Sequence, residues 1–212
     1  NDIPKPMIKV GGRPVLETII LNCSQQGLKK FYISLNYKGE SIEKYFGDGM
    51  KWGVSINYLK EKKKLGTAGI IKELRDVKED ILVINGDILT TTDFNKIINF
   101  HKTKKSFATM ITKKYETVIP YGVVEVKQDV IINIKEKPLL KYNINAGIYI
   151  INPTVFKNLN SNEFLDMTEL FNLLISNKKK TFIYEIDDYW LDIGRLEDLQ
   201  KAKYEYNLFF DF

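Results

Sequence analysis

One cysteine, Cys23, and one histidine, His101, are all that the 212 residues hold of either type, and this scarcity excludes much chemistry. A zinc centre takes about four ligands, drawn mostly from Cys and His, and a Ser-His-Asp relay would have to commit the sole imidazole. No intramolecular disulfide can form, so a reducing, cytoplasmic setting is expected. Arginine is nearly as scarce: among 32 basic residues only Arg13, Arg75 and Arg195 are arginine. Nucleic-acid readers lean on arginine, so the net charge of +5 reads as lysine-rich composition and no nucleic-acid partner is expected. The run Lys60 to Lys64, broken by Glu61, reads as a solvated loop. No apolar run nears the ~20 residues of a membrane span, and no membrane association is expected. Nor is there an internal repeat or a low-complexity linker, so residues 1–212 read as one domain. The chain opens at Asn1 with neither a methionine nor a signal-like apolar stretch, which leads us to expect residues upstream.

Patterned segments remain. Gly12 to Gly27 has Pro14 at a helix start, apolar positions at Val15, Leu16, Ile19, Ile20 and Cys23, and a glycine stop, which predicts an amphipathic helix. Lys30–Leu35, Val54–Leu59 and the fully apolar Ile81–Ile84 read as strands. Glu40–Phe46, Thr67–Leu74 and Phe94–Lys104 read as helices, the last capped by Thr92 or Asp93. This alternation predicts an α/β domain, doubly wound, with a mostly parallel, Rossmann-like sheet covered on both faces. The texture then changes. Phe107–Thr112, Tyr121–Val126, Val130–Lys135 and Ile144–Ile151 read as an antiparallel β insertion. Helices at Met167–Ile175 and Leu196–Leu208 flank a strand at Phe182–Ile186. His101, on a lysine-rich helix, reads as a surface residue.

Asn85-Gly86-Asp87 follows the apolar strand Ile81–Ile84, and ligands of open α/β sheets sit beyond the carboxyl ends of strands. Asp87 there suits an oxygen-preferring cation such as Mg²⁺; a plain strand-end turn is the other reading. Trp190-Leu191-Asp192-Ile193-Gly194 offers a second carboxylate in a similar setting, able to share a metal or merely to cap the next helix. Leu65-Gly66-Thr67-Ala68-Gly69 joins a strand to a helix through small residues that let a flat ligand approach the backbone. It lacks the G-x-x-x-x-G-K-[ST] spacing of a Walker loop. Glu136-Lys137-Pro138 and Asn145-Ala146-Gly147 could serve a hydroxyl-rich ligand or be ordinary turns. Lys5, between Pro4 and Pro6 in a rigid extended loop, could meet a phosphate or simply solvent.

Taken in order, Lys5-Pro6-Met7, Gly11 to Leu16, Leu65 to Gly69, Asn85-Gly86-Asp87, Tyr121-Gly122-Val123, Glu136-Lys137-Pro138, Asn145-Ala146-Gly147 and Trp190 to Gly194 resemble the sugar-1-phosphate nucleotidyltransferases over essentially the whole chain. Asn36 to Glu40 with Tyr45 to Gly49 resembles the branch of mannose-1-phosphate and glucosamine-1-phosphate guanylyltransferases. The resemblance implies Asp87 and Asp192 as paired Mg²⁺ ligands and Lys5 as the phosphate-contacting lysine. It also implies Gly66, Thr67 and Gly69 with Asn85 and Gly86 on the nucleotide, and Tyr121, Gly122, Glu136, Lys137 and Asn145 on the sugar side. One departure stands out. The family's first strand and its G-x-G-T-R-L-x-P loop, which wraps the triphosphate, are expected upstream of Asn1, and without them the polypeptide should be inactive.

The implied reaction is in-line attack of a sugar-1-phosphate oxygen on the α-phosphorus of a nucleoside triphosphate, GTP favoured, with uridylyl or cytidylyl transfer as the alternative. A phosphomonoester has a second pKa of about 6, so the nucleophile arrives deprotonated and needs no histidine. A non-catalytic sugar-nucleotide sensor on the same fold is the competing reading, and a homodimer is the assembly left open.

Overall fold

The computed structural model describes residues 3–35, 39–61, 63–157, 159 and 163–210; Asn36, Tyr37 and Lys38 of the branch-specific stretch lie outside them. In chain order the strands are β1 (Lys9–Val10), β2 (Arg13–Pro14), β3 (Lys30–Leu35), β4 (Ser55–Lys60), β5 (Ile81–Ile84), β6 (Ile88–Thr90), β7 (Ala108–Val118), β8 (Gly122–Lys127), β9 (Val130–Glu136), β10 (Leu139–Ile151), β11 (Thr181–Ile186) and β12 (Trp190–Asp192). The helices are α1 (Val15–Gln25), α2 (Gly39–Phe46), α3 (Thr67–Ile71), α4 (Phe94–Lys104), α5 (Met167–Ser176) and α6 (Leu196–Phe209). None of the described helices is long and apolar enough to cross a membrane.

The architecture is α/β, with helices on both faces of a mixed sheet. β5 shows why its sequence is apolar throughout. Ile81 and Val83 pack on one side with Tyr149, Ile151, Ile70, Ile71, Leu170 and Phe171 from β10, α3 and α5. Leu82 and Ile84 pack on the other with Ile148, Ile150, Cys23, Phe94 and Ile97 from β10, α1 and α4. A strand with apolar packing on both faces has no place for a polar alternation.

The expectation of a mostly parallel sheet needs correction. The four-stranded sheet runs β11-β7-β10-β5, and β10 is antiparallel to both of its neighbours. Only β7/β11 and the separate pair β3/β4 are parallel among the described strands. The reason lies in the connections. β5 reaches β7 through α4, whereas β7 returns into β10 through a hairpin excursion, β8–β9, and a hairpin return is antiparallel.

A cavity of about 1310 Å³ lies between β3 and β5, lined by both strands and by side chains of α1, α3 and the segment after α3. β3 pairs only with β4, and β5 only with β10, among the described strands. Lys30 at the head of β3 lies within electrostatic reach of Glu79, just ahead of β5, so the two strands begin at the same end of the cavity.

Two clips hold the N-terminal segment. Gly11 and Gly12, at φ +60° and +84°, make the two-residue turn between β1 and β2 that only residues free to adopt positive φ accept readily. A side chain at Gly11 would run into the Tyr206 ring of α6, and the Tyr206 hydroxyl meets Thr18 Oγ1 of α1 at 2.8 Å. Lys5–Met7, read as extended, forms instead a 3-10 turn closed by Met7 N–H donating to the Pro4 carbonyl.

His101 also departs from its reading. It is 1% exposed, because its side of α4 faces the sheet while the lysines take the other side. Its Nδ1 pairs with Thr109 Oγ1 at 2.7 Å. Its Nε2 has no hydrogen-bond partner and stands 3.7 Å from Asp80 Oδ1.

Candidate active site

β5 ends in the tight turn Asn85-Gly86-Asp87, closed by Ile88 N–H donating to the Asn85 carbonyl. The chain then continues as β6, which pairs antiparallel with β12 so that Asp192 lies opposite Ile88. Ile193 N–H donates to the Asp87 carbonyl at 2.9 Å. These bonds bring together two aspartates more than a hundred residues apart in sequence. Burial raises the Asp192 pKa above the usual carboxylate value and the negative charge of Asp87 raises it further, while the Lys5 ammonium pulls it back. The three side chains expected to handle phosphate and metal therefore sense one another, and Lys5, Asn85, Gly86 and Asp87 all line the cavity.

Gly86 is small for a packing reason: a Cβ there would stand 3.0 Å from Pro6 Cγ. The turn and the Lys5 segment thus press on each other through Gly86.

A second feature fixes the turn from behind. Asn85 N–H donates to the Gly147 carbonyl, and Gly147, at φ +69°, leaves the space that Asn85 fills. Gly147 sits in the irregular stretch between Asn145 and Tyr149 where the β7–β10 register shifts. Asn145 spans that stretch, donating from Nδ2 to the Tyr149 hydroxyl at 2.7 Å and accepting the Gly147 N–H at 3.0 Å. Trp190 Nε1 donates to the Ala146 carbonyl, tying the strand that carries Asp192 to the same bulge. Asn145 therefore joins the Asp87 neighbourhood.

The loop before α3 behaves differently from its reading. Gly66 and Thr67 line the cavity, but the amides do not stand free. Thr67 N–H points to Asp166 Oδ1 at 3.4 Å, and the N–H groups of Ala68 and Gly69 both donate to the Leu165 carbonyl. Gly69 is buried against Leu65 and the backbone near Glu163, a packing glycine rather than a ligand-facing one. Sequence reasoning missed Asp166. Its spacing to Glu169 signals a helix cap, which it is, yet its carboxylate also lines the cavity.

Tyr121, Gly122, Glu136 and Lys137 are not brought to the cavity wall. They cluster at the base of the β8–β9 ribbon, where Gly122 lies opposite Glu136 and Lys137 N–H donates to the Tyr121 carbonyl. All four are exposed.

The carboxylate pair fits a hard divalent cation. Among the described residues no group of three or more Asp, Glu, His or Cys side chains could hold a metal, so Asp87 and Asp192 would be its protein donors, with substrate phosphates completing the shell as Mg²⁺ requires. Burial first and the Asp87 charge second raise the Asp192 pKa, and a shared cation would favour both carboxylates in their ionised form. His101 cannot serve as a base here: its neighbour Asp80 precedes β5 while Asp87 follows it, a strand length of roughly 13 Å away.

Comparison with known proteins places the chain in a family. The family model described as nucleotidyl transferase matches residues 1–207. The chain is 34% identical over 97% of its length, and 90% of the relative's, to a D-glycero-α-D-manno-heptose 1-phosphate guanylyltransferase of Aneurinibacillus thermoaerophilus. It is 37% identical to a protein of the same description from Campylobacter jejuni, over 93% of this chain and 88% of that one. Among solved structures it resembles HddC from Yersinia pseudotuberculosis, with a TM-score of 0.77, 25% identity and coverage of 97% of this chain and 91% of the other. On the match over residues 1–207 and these likenesses, the chain belongs to the nucleotidyl transferase family.

Proposed function

We propose that the protein transfers a guanylyl group from GTP to a sugar 1-phosphate, with a manno-configured heptose 1-phosphate as the sugar substrate, and releases pyrophosphate. The observation that carries this reading is the nearness of Asp192 to Asp87 and Lys5, the latter two on the cavity wall; the choice of base and sugar rests on the relatives. An oxygen of the sugar phosphate forms the new bond to the α-phosphorus, and the bond to the bridging oxygen breaks, its electron pair leaving on pyrophosphate. Near pH 7 the attacking phosphate is roughly ten to one dianionic, so no protein base is needed. Positioning and charge balance carry the rate. Lys5 supplies positive charge to the phosphates from a turn locked by Pro4 and Pro6. Asn85 and Gly86 hold the strand-end backbone in place through Gly147 and Pro6. A divalent cation on Asp87 and Asp192 would offset the repulsion between the two phosphate groups.

The same reading makes the β3/β5 cavity a strand slot. One extended segment, parallel to both flanking strands, would join β4-β3 to β5-β10-β7-β11 as a single doubly wound sheet and deliver a phosphate-binding loop to the Lys5 end. In this reading turnover requires the segment. The test is pyrophosphate release by the protein extended at its N-terminus with strand and loop, using GTP, UTP and CTP against heptose, mannose and N-acetylglucosamine 1-phosphates. GTP with the heptose phosphate should turn over fastest, and Asp87→Asn or Asp192→Asn should each cost at least about a hundredfold. Near wild-type rates in either variant would remove the metal assignment.

A further inference from the structure

The ribbon of β8 and β9 stands away from the core, with every residue of β9 exposed. A lone two-stranded hairpin is marginal in water, and this one carries a bare apolar face. Val124 lies opposite Ile134 and Val126 opposite Ile131, while Glu125 lies opposite Asn133. The register shift between Glu125 and Val126 leaves Ile132 as the extra residue of a bulge, and a bulge turns two successive side chains toward one side. Val124, Val126, Ile131, Ile132 and Ile134 therefore share a face, each between 46 and 60% exposed. The other face is closed by its own polar contacts: Lys135 Nζ meets Glu125 Oε1 at 2.7 Å and Asn133 Nδ2 donates to Glu125 Oε2.

We infer that the Val124/Ile132/Ile134 face is where a second copy of this chain docks, ribbon against ribbon about a two-fold axis. Size supports this. Five branched side chains at that exposure present on the order of 100 Å² each, or about 500 Å² per copy, at the upper end of what a monomer leaves bare. Two such faces bury about 1,000 Å² of apolar surface, and interfaces that are roughly 60% apolar then total about 1,600 Å², the standard size of a stable one. Charge supports it too. From Gly122 to Lys137 three acids (Glu125, Asp129, Glu136) balance three lysines (Lys127, Lys135, Lys137), so this strip is neutral on a chain of net charge +5 and two copies meet there without net repulsion. A hydroxyl-rich sugar phosphate has no complementarity to a strip of valine and isoleucine. A two-fold axis through the bulge asks only that the face be complementary to itself.

Sedimentation velocity at micromolar concentration should give the wild-type protein twice the mass of one chain. Ile134→Glu should give a single chain with unchanged far-UV circular dichroism. Val130→Glu, on the opposite face across from Lys127, should leave the dimer intact. Ile132→Cys should cross-link copies on mild oxidation with diamide, and Val130→Cys should not. The background is silent because Cys23 is buried and its thiol is pushed up to about 12. A monomeric wild type, a dimeric Ile134→Glu protein, or dissociation by Val130→Glu would each overturn the inference.

Discussion

Filling the slot between β3 and β5 should stabilise the protein by an amount that can be estimated. A space of about 1310 Å³ walled by Ile33, Ile70, Ile71, Leu74 and Ile84 exposes apolar surface that an extended segment would cover. Five residues at about 3.3 Å each span roughly 16 Å, the reach of β5 and a little more. If they are Val and Ile, with both faces buried, their side chains contribute roughly 2 kcal/mol each, or about 10 kcal/mol. Ladder hydrogen bonds to the two open edges add about 4 kcal/mol net. Ordering five residues costs about 1.5 kcal/mol each, near 8 kcal/mol. The balance is about 6 kcal/mol, which for a protein of this size raises Tm by roughly 12 to 24 °C. The assay is differential scanning calorimetry of the chain extended at its N-terminus by an apolar five-residue strand and a loop, beside a partner of equal length with Ser and Gly in the strand. A gain under about 2 °C, or an equal gain from the Ser/Gly version, would refute the strand slot.

Two other outcomes follow from particular contacts. Burial pulls the His101 pKa below its ordinary value of 6.5, with Asp80 opposing; a depressed folded pKa means the stability from keeping the ring neutral is full above pH 6.5 and is lost as pH falls through and below it. Urea midpoints should therefore drop between neutral and mildly acidic pH, and His101→Asn, which keeps a partner for Thr109, should flatten that slope; an unchanged slope would count against the assignment. Gly147→Ala would place a methyl 2.7 Å from Asn85 Nδ2 at φ +69°, costing about 2 to 3 kcal/mol in urea denaturation and weakening GTP binding through the displaced Asn85. Unaltered stability and binding would show that the turn is not held from behind.

Elements whose burial is repetitive were legible in the sequence. β5 and α4 lie where their apolar period put them, and Asp93 caps α4 by accepting the Lys96 N–H. The pairing of Asp87 with Asp192 was implied by the ordered motifs of the family resemblance, since each acid alone read as well as a turn or a helix cap. What escaped was geometry without a period. β6 and β12 are three residues each, too short to pattern, though their pairing is what brings Asp192 to Asp87. The shift at Asn145 and the bulge at Ile132 sit inside continuous strand-like text. His101 went to the core because α4 is amphipathic about an axis on which one polar ring falls on the apolar side and finds Thr109. The residues assigned to the sugar fared unevenly for the same reason: Asn145 lies in a bulge stitched to Asn85, while Gly122 and Glu136 stand on the ribbon.

The bond between Thr18 and Tyr206 joins positions 188 residues apart, and the same tyrosine braces the Gly11 turn that follows Lys5. Such a closure waits for α6, because non-local contacts form only after the intervening chain has been ordered. During synthesis Lys5 is made well before α6, so the turn that follows it is braced only once α6 has emerged.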